Sequence, residues 1–144
     1  MHVMKALNLF LLLSVTLLFA CSDKKEKDSQ TDQRYKEVMA IHDEIMPKMA
    51  DIMKLKTQLK DKVTELNAEP NIDTTQISQL ELAIVGLENS HEGMMGWMRQ
   101  FNRQYDGMAE VEILQYLDMQ MDKIEKVGEV TNAALQDARE RLGE

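Results

Sequence analysis

Cysteine, proline and aromatic side chains are all scarce in this chain of 144 residues: it holds one Cys, two Pro, one Trp, three Tyr and three Phe. A lone cysteine excludes an internal disulfide framework and a thiolate metal cluster. Two prolines, Pro47 and Pro70, leave long stretches in which nothing interrupts a helix. No extended apolar run follows residue 20, so no downstream segment is a candidate membrane span. Phosphate-binding Gly-rich loops, Ser-His-Asp sets and zinc signatures are all missing, and no enzymatic role is expected. Lys and Arg number 17 against 25 Asp and Glu, a net charge of −8. An acidic chain with no basic stripe is a poor ligand for nucleic acid, and none is expected as a partner. What the chain does have in quantity is methionine, with 12 residues.

The N-terminus is the first informative segment. Lys5 gives a short basic start, and residues 6–20 are almost wholly apolar, the length of a signal-peptide core and too short for an ordinary spanning helix. The run ends Leu18-Phe19-Ala20-Cys21, which resembles the lipobox of bacterial lipoproteins; Phe19 is bulkier than the residue usual there. The resemblance implies cleavage before Cys21, a diacylglyceryl group on its sulfur and acylation, typically with palmitate, of its amine. Two or three acyl chains anchor a protein stably where one does not. Cys21 is then consumed, and the membrane is reached through the lipid anchor. Ser22, in place of Asp, favours the outer membrane by analogy with other lipoproteins, and leaves open which face carries the protein. Without Lys5 the remaining chain has 16 basic against 25 acidic residues, so anionic lipid adds nothing to the anchoring.

Residues 1–20 thus read as a signal peptide, 21–33 as lipidated Cys and disordered tether, and 34–144 as one folded domain. The tether has no large apolar residue and would reach roughly 20 Å as a flexible coil. Beyond it the apolar spacing alternates three and four, the period of helices. One seam is Tyr35, Val38, His42, Ile45, Met49, Ile52, Lys56, Leu59, Val63 and Leu66. A second is Ile77, Leu80, Ile84, Leu87, His91, Met94, Met98, Phe101 and Tyr105. A third runs from Leu114 through Leu117, Met121, Ile124, Gly128, Thr131, Leu135 and Ala138 to Leu142. Turn chemistry separates them at Glu69-Pro70-Asn71-Ile72-Asp73 and at Tyr105-Asp106-Gly107; Asp73 with Gln76 has capping-box spacing, and Thr74 or Thr75 could cap instead. The fold class expected is all-α: an up-down-up antiparallel three-helix bundle, coiled-coil-like, with helices at about 31–68, 74–104 and 109–142. Lys56 on the first seam is expected to snorkel while Leu55 packs.

One pattern, His-acid-x-x-Met-x-x-Met, occurs twice: His42-Asp43-Glu44-Ile45-Met46-Pro47-Lys48-Met49 and His91-Glu92-Gly93-Met94-Met95-Gly96-Trp97-Met98. On a helix, positions i, i+4 and i+7 share a face. Pairing the first two seams about Pro70 sets Met49 beside His91, His42 beside Met98 and Tyr35 beside Tyr105. Two layers result, about 10.5 Å apart at 1.5 Å per residue, too far for one ion to span. The first joins His42, Met46 and Met98, with Met94 near; the second joins His91, Met49 and Met95, with Met53 near. Thioether and imidazole ligands suit Cu(I) or Ag(I), and methionine survives an oxidising envelope. Asp43 and Glu92 are expected to point elsewhere, and Trp97 could lie against a bound cation. The competing reading is a Met-padded core with boundary histidines, Met being an unbranched gap-filler that packs well on aromatic rings. That reading is favoured; the spacing itself is loose. Pro47 is expected to curve a long helix around its neighbours.

The two His/Met strings, with Ile52, Lys54-Leu55 and Phe101, also resemble an uncharacterised group of small Bacteroidota lipoproteins, some labelled "viral A-type inclusion protein". That resemblance implies a lipid-anchored helical protein and carries no activity. The expectation is an envelope lipoprotein that binds or supports another envelope protein, with a Cu(I)- or Ag(I)-binding lipoprotein as the alternative.

Overall fold

The helical part begins where a side chain is placed to cap it. Ser29 Oγ accepts from Asp32 N at 3.1 Å, satisfying one of the free donors of a first turn, with the Asp32 carboxylate at the favourable end of the dipole. The computed structural model describes residues 29–144. The signal peptide, the lipidation position Cys21 and most of the expected tether lie outside the described residues. Helix therefore starts at Gln30, one residue before the expected 31 and three before the tether was expected to end, because the Ser29 cap supports it.

Four α-helical segments, and no strand, occur among the described residues: α1 (Gln30–Ile45), α2 (Lys48–Asn67), α3 (Thr74–Gln100) and α4 (Glu110–Leu142). The chain is thus all-helical. The segments α1 and α2 together form the first of three helices, and the three pack on one another. The interruption falls at Met46 and Pro47, which both keep right-handed helical dihedrals. Pro47 has no N–H for the carbonyl of Asp43, and the ladder restarts with i to i−3 bonds from Met49 N to Met46 O (3.2 Å) and from Ala50 N to Pro47 O (3.3 Å). One long helix was expected; proline divides it into two.

That division decides the packing. Segment α2 packs on α3 and also touches α4, whereas α1 packs on α4. No close backbone approach joins α1 to α3 among the described residues; only long side chains cross between them. A full-length pairing of the first two seams, as the shared centre at Pro70 suggested, is therefore corrected. α2 does pack on α3, with Lys56 and Lys60 reaching Glu88 of α3 at 3.7 and 3.5 Å, whereas α1, upstream of Pro47, does not. Leu55 is buried and takes the packing role, while Lys56 beside it is partly buried and sends its ammonium toward Glu88.

The second seam changes column at the same level. Leu80, Leu87 and Met94 stay buried throughout, but their flank switches from Ile77 and Ile84 to Ser90 and Trp97. His91 is half-buried and Met98 is 40% exposed, because α1 has moved across to α4 and no longer covers that column. The third seam is as expected: Leu117, Ile124, Thr131 and Ala138 are fully buried, with Met121 and Leu135 nearly so.

Turn chemistry ends the helices. Asp73 caps α3, its carboxylate accepting from Gln76 N at 3.0 Å. α3 stops at Gln100, short of the expected 104, because Phe101 turns extended and stacks on Trp97. Asn102 N then donates to Tyr116 Oη at 2.8 Å, and Gln104 N to Asn102 Oδ1 at 2.9 Å. Gly107 takes a left-handed φ of 79° that an L side chain would resist. Ala109 cannot cap by its side chain, so Glu112 reaches back to Ala109 N at 2.8 Å.

Candidate functional site

The six His/Met residues do not share one environment. Met49 is buried; Met46 and Met95 are partly buried and pack on the core; Met98 is largely exposed. The structure sets His42 against Trp97, with ring centroids 5.8 Å apart, where Met98 had been expected. This follows from the column switch in α3, which turns residue 97 inward and residue 98 out. Met94, a flanking residue in the expected first layer, is fully buried core, and Met53, flanking the second, is 47% exposed.

One expectation about the neighbouring acids is overturned. His42 Nδ1 lies 2.8 Å from Asp43 Oδ1, so Asp43 does not point away from the ring. With the imidazole laid against Trp97, its Nδ1 edge is turned to the helix flank, where the short carboxylate next in sequence reaches it. Glu92 pairs instead with Arg99, as its expected direction required. No group of three or more His, Cys, Asp or Glu is placed to hold a metal ion among the described residues.

The strongest local feature around this stripe is aromatic. All the aromatic side chains of residues 29–144 gather in one cluster: Trp97 stacks on Phe101 at 4.7 Å, and Phe101 lies near Tyr35 (6.1 Å) and Tyr116 (6.2 Å). Tyr105 meets Tyr116 edge-on at 6.1 Å, and the Arg103 guanidinium stands 4.2 Å from the Tyr35 ring centre. Such contacts add to plain area burial. The cluster ties the start of α1 to the end of α3 and the start of α4, the end of the molecule where α1 and α3 backbones are apart. Burial pushes the Tyr105 phenol above its ordinary range, reinforced by the neighbouring tyrosines and opposed by Arg103.

A second feature lies between α3 and α4. Ser90 and Thr131, both buried, join the two helices by a 2.8 Å hydroxyl hydrogen bond. Beside it opens a groove of about 480 Å³. Gly93 and Gly96 line its α3 side, Val127 and Val130 its α4 side, with Trp97 and Gln120 in its lining and Lys123 and Lys126 at the rim. The volume is within the range of small-molecule sites, about 300–1,000 Å³. Thr131 was legible on the third seam. Ser90, Gln120 and the two glycines were not read as site residues; the one signal for them was a Gly-x-x-Gly pair inside a helix that no cap or turn required.

The Ser90–Thr131 pair gives a clean expectation. Ser90→Ala alone should cost about 1–3 kcal/mol, since it strands the buried Thr131 hydroxyl. Ser90→Ala with Thr131→Val should recover most of that loss, because neither polar group remains. Chemical denaturation of the three variants measures both, and a double variant as weak as the single would remove the pair from the account.

Comparison with protein-family models, with curated proteins and with solved structures gave no match for the chain.

Proposed function

We propose that this chain is a lipid-anchored protein of the bacterial cell envelope, held at the outer membrane through Cys21, with a non-enzymatic binding or supporting role. Its helical domain is read as an up-down-up antiparallel bundle presented on a short tether. The observation that carries the anchoring is the sequence Leu18-Phe19-Ala20-Cys21 at the end of an apolar leader, in a chain with no other cysteine. It is in keeping with this that no helix of the described residues is long and apolar enough to cross a membrane. The binding role is supported by the α3–α4 groove, a recess between two helices whose α3 side carries Gly93 and Gly96.

Metabolic labelling with palmitate followed by fractionation tests the anchor. The full chain should take up label and sediment with outer membrane, and Cys21→Ser should lose the label. Unlabelled wild-type protein would end this reading.

A second reading keeps the His/Met residues as a Cu(I) or Ag(I) site formed by His42, Met46 and Met98 or by His91, Met49 and Met95. One observation favours it: Asp43 at 2.8 Å from His42 Nδ1 is the kind of partner that orients an imidazole and leaves its other nitrogen for a metal. The packing reading is preferred, because Met49 and Met94 are core and Met46 and Met95 pack on it.

A further inference from the structure

α3 carries a second seam that no described helix covers. Leu82, Gly86, Asn89, Gly93, Gly96 and Gln100 are spaced four, three, four, three and four apart, the repeat that lines residues up on one helix face. The buried seam of Leu80, Leu87 and Met94 is a different column. Of the outer column, Gly86 and Gly96 are partly buried and the other four are exposed, Leu82 at 65%. Glycine is the poorest helix former after proline, so three in one column need a reason. Gly86 has one in the chain itself, since a Cβ there would meet Ala134 Cβ at 4.0 Å. A Cβ at Gly93 would meet nothing within 4 Å, and one at Gly96 only the tip of Arg99 at 3.8 Å. Neither has a positive φ. They leave two holes on an exposed face, of the kind that lets another helix come close.

The same face also carries knobs to fill such holes. Ser90 bonds Thr131 and Gly86 faces Ala134, so α4 runs back along α3 and brings Val127 and Val130 to the level of the two glycines. Val130 is 41% exposed and Val127 partly buried. The rims are opposite in charge: Glu92 lies on the α3 side, Lys123 and Lys126 on the α4 side. Glu92 and Lys126 pair only within their own helices, with Arg99 and Glu129, and exposed pairs of that kind are weak. Holes and acid on one helix therefore stand at the height of knobs and base on the other. Such a face complements itself under a two-fold rotation about an axis along the helices, which lays α3 of one copy on α4 of the next.

We propose that the α3–α4 face joins two copies of this chain in a parallel, two-fold dimer on one membrane. Val127 and Val130 of each copy sit over Gly93 and Gly96 of the other, and Glu92 faces Lys126. The axis suits the anchor proposed above, on which this inference rests. α1 starts beside the end of α3 and the start of α4, with Tyr35 6.1 Å from Phe101 and Arg34 bonded to Asp118. A two-fold along the helices thus sends both tethers out at the same end, toward one bilayer. The column from 82 to 100 spans about 27 Å, and two helices are about 20 Å wide, so each copy covers about 500 Å². A total of about 1,000 Å² is the lower limit for a specific contact. Anchoring two copies in one bilayer raises their effective concentration, so a contact of this size holds there.

The test uses full lipidated chains in phosphatidylcholine vesicles, where Cys21 is acylated and an added cysteine supplies the one free thiol. Chains carrying Glu92→Cys and chains carrying Lys126→Cys are reconstituted together and mildly oxidised. The mixed disulfide should form at least about tenfold faster than either self-disulfide. It should outrun by as much any product of Glu44→Cys, a collision control on the α1–α4 side. Adding Gly93→Leu to both chains should cut the mixed product about tenfold, the scale of one overfilled contact. The same change should not lower the melting temperature, since a Cβ at that position meets nothing in its own chain. Equal rates for all pairs, or a mixed product that Gly93→Leu leaves intact, overturn the proposal. So does a whole-cell product that joins Lys126→Cys to a different protein in place of a second copy, which would give the groove to that partner. Flotation of the same vesicles separates the two claims. Protein that floats without the mixed disulfide refutes the dimer alone; protein that does not float refutes the anchor, and the membrane-aligned dimer with it.

Discussion

Trp97→Ala should lower the unfolding free energy by about 3–5 kcal/mol, the range for removing a buried aromatic side chain. The loss should sit at the high end because Trp97 has three roles. It stacks on Phe101 at 4.7 Å, backs His42 at 5.8 Å, and carries the α3 flank that faces α4 once residue 98 has turned outward. Trp97→Phe makes the argument specific. It keeps a ring in the stack and deletes the unpaired indole N–H, which offsets part of the cavity cost, so it should cost well under the Ala change, about 1–2 kcal/mol. Denaturant melts followed by circular dichroism measure both, since the variants lose the fluorescent reporter. Equal losses for Ala and Phe would mean that the indole N–H has a partner and that the stack contributes little.

The contact between Gly128 and Ile45 should be the next most sensitive to change. A Cβ at Gly128 would stand 3.1 Å from Ile45 Cδ1, so α4 uses this glycine to admit the last residue of α1. A leucine there overfills the contact, at a cost of about 1–3 kcal/mol. Ile45→Ala alone should cost about 2–5 kcal/mol for the cavity it opens. Together the two should cost less than their sum, with a coupling of about 0.5–3 kcal/mol, because the new side chain fills the space the isoleucine left. Additive losses would show that α1 does not lie on α4 at this level. Gly128→Ala is a milder control: the helix gain from leaving glycine offsets the small shift asked of Ile45.

These two positions also mark where sequence reasoning stopped. The stripe of α4, the Asp73 cap and the Leu55/Lys56 division of labour were all legible, since each depends on residues close in sequence. The two His/Met layers were not, because they rested on a register carried rigidly past Pro47. Proline was expected to curve the first helix; what it changes is the partner, moving α1 onto α4 and uncovering the column of His91 and Met98. A periodicity cannot show that, since the column of Leu80, Leu87 and Met94 fits either flank. The groove was illegible for a related reason. Gly93, Gly96, Ser90 and Gln120 are unremarkable on a helix, and only the facing of α3 and α4 makes a recess of them.

The doubled His/Met pattern is read here as packing around an aromatic cluster, and the most direct test of that is a Cu(I) titration of the full chain against a competing chelator while Trp97 emission is followed. The packing account predicts no uptake above the strength of the chelator and no change in emission, in wild type and in the His42→Leu/His91→Leu double variant alike. Tight uptake by the wild type that the double variant loses would contradict it and make the pattern a metal site.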